Sequence, residues 1–371
     1  MNSYYQLCKR CIMDTTDEFI IFDEEGNCNH CSEYFNLTEK LIFKPDVASK
    51  KLNELADKIK KESKNKTYDC IVGISGGVDS AYMAYLAKKM GFRILAVHLD
   101  NGWNSELAVK NIENVVKKLQ IDYQTYVIDW EEFKDLQISF LKASVANAEI
   151  PSDHAFLGAL YKIANQYGIK HIFSGSNIAT EGILPKAWGY NSKDLKHLKA
   201  IHKRFGKQKL RSYPKLGFYR EFYYTYVKGI KLIRPLNYIN YEKAEAMKII
   251  QDELGWVYYG GKHYESVFTR FFQSYYLPVK FNIDKRRAHL ATLVCSGQLS
   301  RDEALEEMKK EAYPADKMKE DIEYVRKKLD LTENDFEEIM KLPTKTYRDY
   351  PNQEKKLKFI YSIYHKLTRR I

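Results

Sequence analysis

Six consecutive residues, Ser75-Gly76-Gly77-Val78-Asp79-Ser80, have the chemistry of an anion cradle. Paired glycines let the backbone approach a ligand, two hydroxyls donate, and one carboxylate can hold a metal-bound or protonated group. The apolar stretch Cys70-Ile71-Val72 precedes them, and Tyr82, Tyr85 and Leu86 follow among the apolar positions of a helix. The pattern predicts a strand, a turn and a helix whose unpaired N–H groups and dipole face the ligand. The stretch fits neither GxxxxGK[ST] nor GxGxxG.

A second set of reactive residues is Cys8-Lys-Arg-Cys11 and Cys28-Asn-His-Cys31, with sixteen residues between the pairs. Two such knuckles supply the four thiolates of a tetrahedral Zn2+, and a site filled by four sulfurs is structural. Disulfides are the alternative, disfavoured in a chain read as cytoplasmic. His30 is expected to face solvent, and Phe19 to Gly26 to form a strand and tight turn.

The elements that must position these groups alternate. Pro45 opens an amphipathic helix over 45–64 with Leu52, Leu55 and Ile59 on one face. Strands are expected at 69–74, 93–99, 123–128, 171–174 and 231–236, with helices at 105–119 and near 130–147 and 152–167. Such alternation makes an α/β fold with a parallel sheet and ligands at its carboxyl edge. From 241 onward the pattern is helical, with helices expected at 315–328, 332–341 and 354–370. It is broken at Gly260-Gly261-Lys262-His263-Tyr264-Glu265, where Lys262, His263, Glu265 and Arg270 could bind phosphate or a sugar carboxylate. Ser300 and Glu303 have capping-box spacing.

Ser75-Gly-Gly-Val-Asp-Ser80 resembles the SGGxDS signature of the PP-loop ATP pyrophosphatases. Taken with Cys8/Cys11/Cys28/Cys31, Gly175-Ser-Asn177, Lys262-His-Tyr-Glu-Ser and Cys295-Ser-Gly-Gln, the chain resembles the N-acetyl sugar amidotransferases over nearly its full length. That resemblance implies a zinc ribbon over 1–40, a PP-loop domain over 41–240 and a helical substrate or partner region over 241–371. It implies ATP and Mg2+ at Ser75, Gly76, Gly77, Val78, Asp79, Ser80, Asp100, Gly175 and Asn177. It also implies Asp79, Lys262, His263 and Arg270 as catalytic groups, Glu181 and Glu265 toward substrate, and structural Zn2+ on the four cysteines.

The reaction implied turns the acetamido group of an N-acetyl sugar, free or nucleotide-linked, into an acetamidino group in bacterial surface-sugar biosynthesis. Residue 2 is Asn and no glutaminase domain can be recognised, so ammonia is expected from solution or a separate class I glutaminase subunit similar to that of histidine biosynthesis. The competing class is a PP-loop tRNA-modifying enzyme, for 2-thiolation or lysidine formation. Thiolation needs a carrier cysteine, yet Cys70 falls in a strand and Cys295 at a late helix end.

Composition narrows this. The 371 residues carry a formal charge of +11, suited to polyanions from nucleotides to RNA, although nucleic acid is not the expected partner. No run approaches the ~18 to 20 apolar residues of a membrane helix. No signal peptide is apparent, so a cytoplasmic location is expected.

Overall fold

The structure is a computed structural model describing residues 5–42, 44–261 and 264–357. Lys262 and His263 lie outside the described residues, as does all but the start of the helix expected over 354–370.

Five parallel strands form one sheet in the order β3-β2-β1-β4-β5. They are β1 Cys70–Gly73, β2 Ile94–Asp100, β3 Asp122–Val127, β4 His171–Phe173 and β5 Lys231–Ile233. Ile71 registers with Leu95 on one side and Ile172 on the other, so β1 is central and fully buried. β3 and β5 are edges and alternate or stay half-exposed, whereas the interior strands are buried almost throughout. Chain order reverses between β1 and β4. This is the switch point at whose carboxyl end a crevice opens.

Helices α1 Asn29–Leu41, α2 Pro45–Glu62, α3 Val78–Lys89, α4 Glu106–Leu119, α5 Trp130–Ala143 and α6 Ile150–Gln166 follow in order. Ser105 and Asp129 cap α4 and α5 by accepting from Ala108 and Glu132 N–H groups. α7 Ile178–Glu181, α8 Leu195–Phe205, α9 Phe218–Phe222 and α10 Lys243–Leu254 come next. α10 shares a buried cluster with α3 through Ala246, Ile250, Ala81 and Ala84, so residues 243–256 belong to the core of the sheet.

The remaining helices are α11 Val267–Phe271, α12 Leu277–Phe281, α13 Lys285–Cys295, α14 Arg301–Lys309, α15 Ala315–Lys328 and α16 Glu333–Lys341. They join the N-terminal cysteines and α5 in one apolar cluster built on Trp103, Phe268, Phe272 and Tyr276. The capping box at Ser300 and Glu303 is present at the start of α14. Among the described residues no helix is long and apolar enough to cross a membrane.

Candidate active site

The turn after β1 is built to hold its backbone still. Gly76 has φ +86°, and a Cβ there would stand 2.8 Å from Ala108 O, so glycine is required twice over. Trp256 Nε1 donates to Gly76 O at 2.8 Å from behind. Ser75 N donates to Ser80 Oγ (3.2 Å), which in turn donates to Gly77 O (3.0 Å). α3 then begins at Val78, presenting first-turn N–H groups that have no carbonyl within the helix.

The turn after β4 closes against it. A Cβ on Gly175 would lie 2.7 Å from the carbonyl of Asp79 and 2.9 Å from Ser80 N. Asn177 accepts from Thr180 N (2.9 Å) to cap α7, and its amide donates to Asp79 Oδ1 at 3.2 Å. Tyr241 donates its hydroxyl to the same oxygen at 2.6 Å. Burial and the Asp79 charge push the Tyr241 phenol well up, so it stays a donor.

A cavity of about 480 Å3 lies between the two turns. Ser75, Asp79 and Ser80 form one wall and Gly175 and Glu181 the other, while Phe156, Leu160 and Phe173 are apolar lining. Lys193, Arg234 and Lys243 add cationic groups, with Lys193 also paired to Glu221 at 2.5 Å. An apolar floor, a cradle of N–H groups and nearby cations suit an adenine nucleotide with its phosphates on the turn.

A second cavity, about 470 Å3, opens at the carboxyl end of β2. His98, Asn101 and Asn104 line it from the sheet, and Thr269, Gln273, Lys285 and His289 from α11, α13 and the residues between them. Ser75, Asp153, Phe156, Glu181 and Glu265 line both cavities, so three carboxylates stand where the two meet. Glu265 is pinned there by backbone pairing. Ser105 N donates to Glu265 O (2.8 Å), and Val267 N donates to Trp103 O (2.9 Å). A Cβ on Gly77 would sit 3.3 Å from both Glu265 Oε1 and Tyr259 OH, so both groups lie directly over the cradle. His98 donates from Nδ1 to Ile74 O at 3.0 Å and accepts from Asn104 at Nε2; burial pushes it down and keeps it neutral.

The residues expected from sequence divide accordingly. Ser75 to Ser80 and Gly175 converge with Glu181 and Glu265, and Asn177 holds Asp79 from the second turn. Asp100 lines neither cavity. It accepts from Gly102 N (2.9 Å) and Asn104 (3.3 Å), and so shapes the turn that carries Asn101 and Asn104. Arg270 also lines neither; its guanidinium forms a fork with Asp321 at 2.6 and 2.7 Å. Sequence reasoning does not single out Asp153, Tyr241, Tyr259 or the three cations. Asp153 in the first turn of α6 follows the helix-opening Pro151, which is a legible signal.

Two family descriptions match the chain. NAD synthase covers residues 48–214, and LPS biosynthesis protein WbpG-like, C-terminal domain, covers 265–367. The chain is a PP-loop protein with a WbpG-like C-terminal domain. The PP-loop family is one of ATP-dependent ligases and synthetases.

This PP-loop protein is 24% identical over 321 residues to an uncharacterised protein of Methanocaldococcus jannaschii, spanning 83% of this chain and 94% of that one. It is 27% identical over 171 residues to tRNA(Ile)-lysidine synthase of Chlamydia pneumoniae, spanning 46% and 44%. Among solved structures it is similar to NMN synthetase from Francisella tularensis, with a TM-score of 0.31 and 19% identity over 57% of this chain and 96% of that one.

In this PP-loop protein the four N-terminal thiols lie within 4.8 Å of one another and are fully buried. Successive Sγ–Sγ distances are 3.8 Å for Cys8–Cys31 and 3.7 Å for Cys11–Cys28 and Cys28–Cys31. Tetrahedral Zn–S bonds near 2.3 Å require about 3.8 Å between sulfurs, so the donor set fits zinc. Backbone N–H groups of Arg10, Cys11 and Cys28 donate to Cys8 Sγ at 3.2 to 3.4 Å, as suits a thiolate.

Two local expectations are corrected. His30 is buried and bonded to Asp17 at 2.7 Å, because the knuckle folds its ring onto the buried carboxylate. Residues 19–26 form no strand. Phe22 makes a single bridge to Cys28, and Asp23 accepts from Asn27 N to turn the chain at Gly26.

Proposed function

We propose that the chain is an AMP-forming carbon–nitrogen ligase that converts an acetamido group of an N-acetyl, diacetamido-type sugar to acetamidino. Its setting would be O-antigen or pseudaminic/legionaminic acid biosynthesis in bacteria, and its ammonia would come from a separate class I glutaminase subunit. One observation carries the reading. A cavity of about 480 Å3 on the turn after β1 meets a second cavity at Ser75, Asp153, Glu181 and Glu265, and residues of the WbpG-like region line the second.

The chemistry suits two adjoining chambers. An amide oxygen is a poor leaving group. Its attack on the α-phosphorus of ATP forms the O–P bond and expels pyrophosphate. Ammonia then adds to the activated carbon, AMP departs with the former amide oxygen, and the amidine remains. Here the N–H groups opening α3 and the hydroxyls of Ser75 and Ser80 would hold the phosphates that leave. Asp79 and Glu181 both line the nucleotide cavity and are suited to hold Mg2+, which would offset phosphate charge. Tyr241 and Asn177 fix Asp79. The acceptor would bind in the second cavity, where Asn101, Lys285 and His289 offer donors to sugar hydroxyls or a carboxylate.

The tRNA reading is supported by the partial match to tRNA(Ile)-lysidine synthase. Thiolation is disfavoured because neither Cys70 nor Cys295 lines either cavity, and burial pushes the Cys70 thiol well up.

The deciding experiment measures AMP and pyrophosphate release from Mg-ATP with ammonium and a panel of diacetamido sugars, against unmodified tRNA. Sugar-dependent AMP release, with a product in which NH replaces oxygen, is expected. Release that requires tRNA overturns the reading.

A further inference from the structure

Cys295 ends α13, and its thiol lies 3.7 Å from the Cys31 thiol although 264 positions separate them. That spacing equals those of Cys28–Cys31 and Cys11–Cys28 within the cluster. A fifth thiol thus stands at ligand spacing from one member of a four-thiol set, where a tetrahedral ion takes four.

Two arginines hold the fifth thiol in place. Arg287, on the same helix as Cys295, donates to Ile12 O at 2.7 Å and pairs with buried Asp14 at 3.2 Å. Arg301, from α14, donates to the carbonyls of Cys8 (3.0 Å) and Cys11 (3.1 Å). The first knuckle is therefore gripped on both sides of Cys295 by the helical region that carries it.

The geometry points to Cys295 as a reserve ligand of the four-cysteine centre, able to take the coordination position of Cys31. In the exchange the Cys295 thiol gives up its proton and binds, while the released Cys31 thiolate takes a proton up. The sulfur count and net charge at the metal are unchanged, and zinc imposes no preference between two thiolates in a tetrahedral all-sulfur set. The exchange would also tie the metal to α13. That helix lines the second cavity with Lys285 and His289, and its Thr292 Oγ1 accepts from Ile183 N at 3.0 Å beside Glu181. The proposal rests on the reading that the four N-terminal thiols hold zinc.

The test measures zinc content and the rate of zinc transfer to a chelator for the full chain and for Cys28→Ser, Cys31→Ser and Cys31→Ser/Cys295→Ser. Cys31→Ser is expected to retain zinc about tenfold longer than Cys28→Ser, and the double variant to lose that advantage. Equal loss from Cys31→Ser and Cys28→Ser overturns the proposal. A wild-type protein without zinc overturns the metal centre itself, and the proposal with it. Should Cys31→Ser fail to fold, Cys295→Ser alone decides. Without the reserve thiol a transiently freed ion is not recaptured, so transfer to the chelator should be several-fold faster. An unchanged rate overturns the proposal.

Discussion

Tyr241 and Asp79, 162 positions apart, are joined by a 2.6 Å hydrogen bond from the phenol to the carboxylate. Asn177 donates to the same oxygen, so a turn from β4 and a loop before α10 both fix one side chain at the mouth of α3. The bond aims Asp79 along the wall of the nucleotide cavity, and Tyr241 itself does not line that cavity. Tyr241 is therefore a positioning residue.

Asp79→Asn is expected to lower pyrophosphate release on the order of 100-fold with the fold intact. Tyr241→Phe removes a bond to a charged acceptor, a loss of about 2 kcal/mol in stability. It should also raise the Mg2+ concentration needed for half-maximal rate. Denaturant titration and a Mg2+ dependence separate the two effects, and an unchanged Mg2+ requirement would deny Tyr241 its positioning role.

Gly175→Ala tests how closely the two turns must meet. The added methyl would press on the backbone of Asp79 and Ser80 rather than on a flexible side-chain end. Overpacking costs about 1–3 kcal/mol, and relief requires the turns to separate. ATP affinity measured by calorimetry should fall at least as steeply as stability. A variant that binds ATP like the wild type would show that the two turns need not touch.

The alternation of apolar strands and amphipathic helices made the parallel sheet legible, and the six-residue turn made its ligand edge legible. Side-chain direction at that edge was not. Asp100 ends β2 as expected, yet its carboxylate turns back onto Gly102 N while His98 and Asn101 face the second cavity. Strand position fixes which edge a residue reaches, and the following turn decides where its side chain goes. Tyr241 and Tyr259 reach the cradle only because segments far along the chain fold back over it, and no local pattern encodes that. The approach of Cys295 to Cys31 is hidden for the same reason. The His30–Asp17 pair closes within the knuckle, but period and spacing say nothing of which polar groups pair inside it.

His197 makes acid stability testable. It is fully buried against Phe140, Tyr190, Tyr347 and Tyr350, and neither ring nitrogen has a hydrogen-bond partner. Burial pushes it down from 6.5 to about 4, against the opposing pull of Asp194. His154 is likewise pushed down by burial to about 4, and its neutral Nε2 accepts from Leu216 N. Both folded values lie below the unfolded one, so the unfolded chain binds more protons between them. Stability is full above pH 6.5 and is lost as pH falls toward 4, by about 1.4 kcal/mol per pH unit for each histidine. His197→Phe should leave neutral stability unchanged or higher and reduce the slope between pH 6.5 and 5 by about 1.4 kcal/mol per pH unit, the share of one histidine. An unaltered slope would mean that His197 does not titrate in this window.

Arg270 and Asp321 form a two-bond fork between α11 and α15, with the guanidinium stacked near Tyr264 and Tyr313. Only 18% and 9% of the two side chains are exposed, so removing either leaves a largely buried charge without its partner. Arg270→Met alone should cost about 3–5 kcal/mol, and Asp321→Leu a similar amount. The double variant Arg270→Met/Asp321→Leu removes both charges and should recover most of that loss. The fork lies outside both cavities, so the double variant should also keep sugar-dependent AMP release within a few-fold of wild type. A stable but inactive double variant would return Arg270 to the chemistry, because restored folding with lost turnover is what a substrate contact predicts and a brace does not.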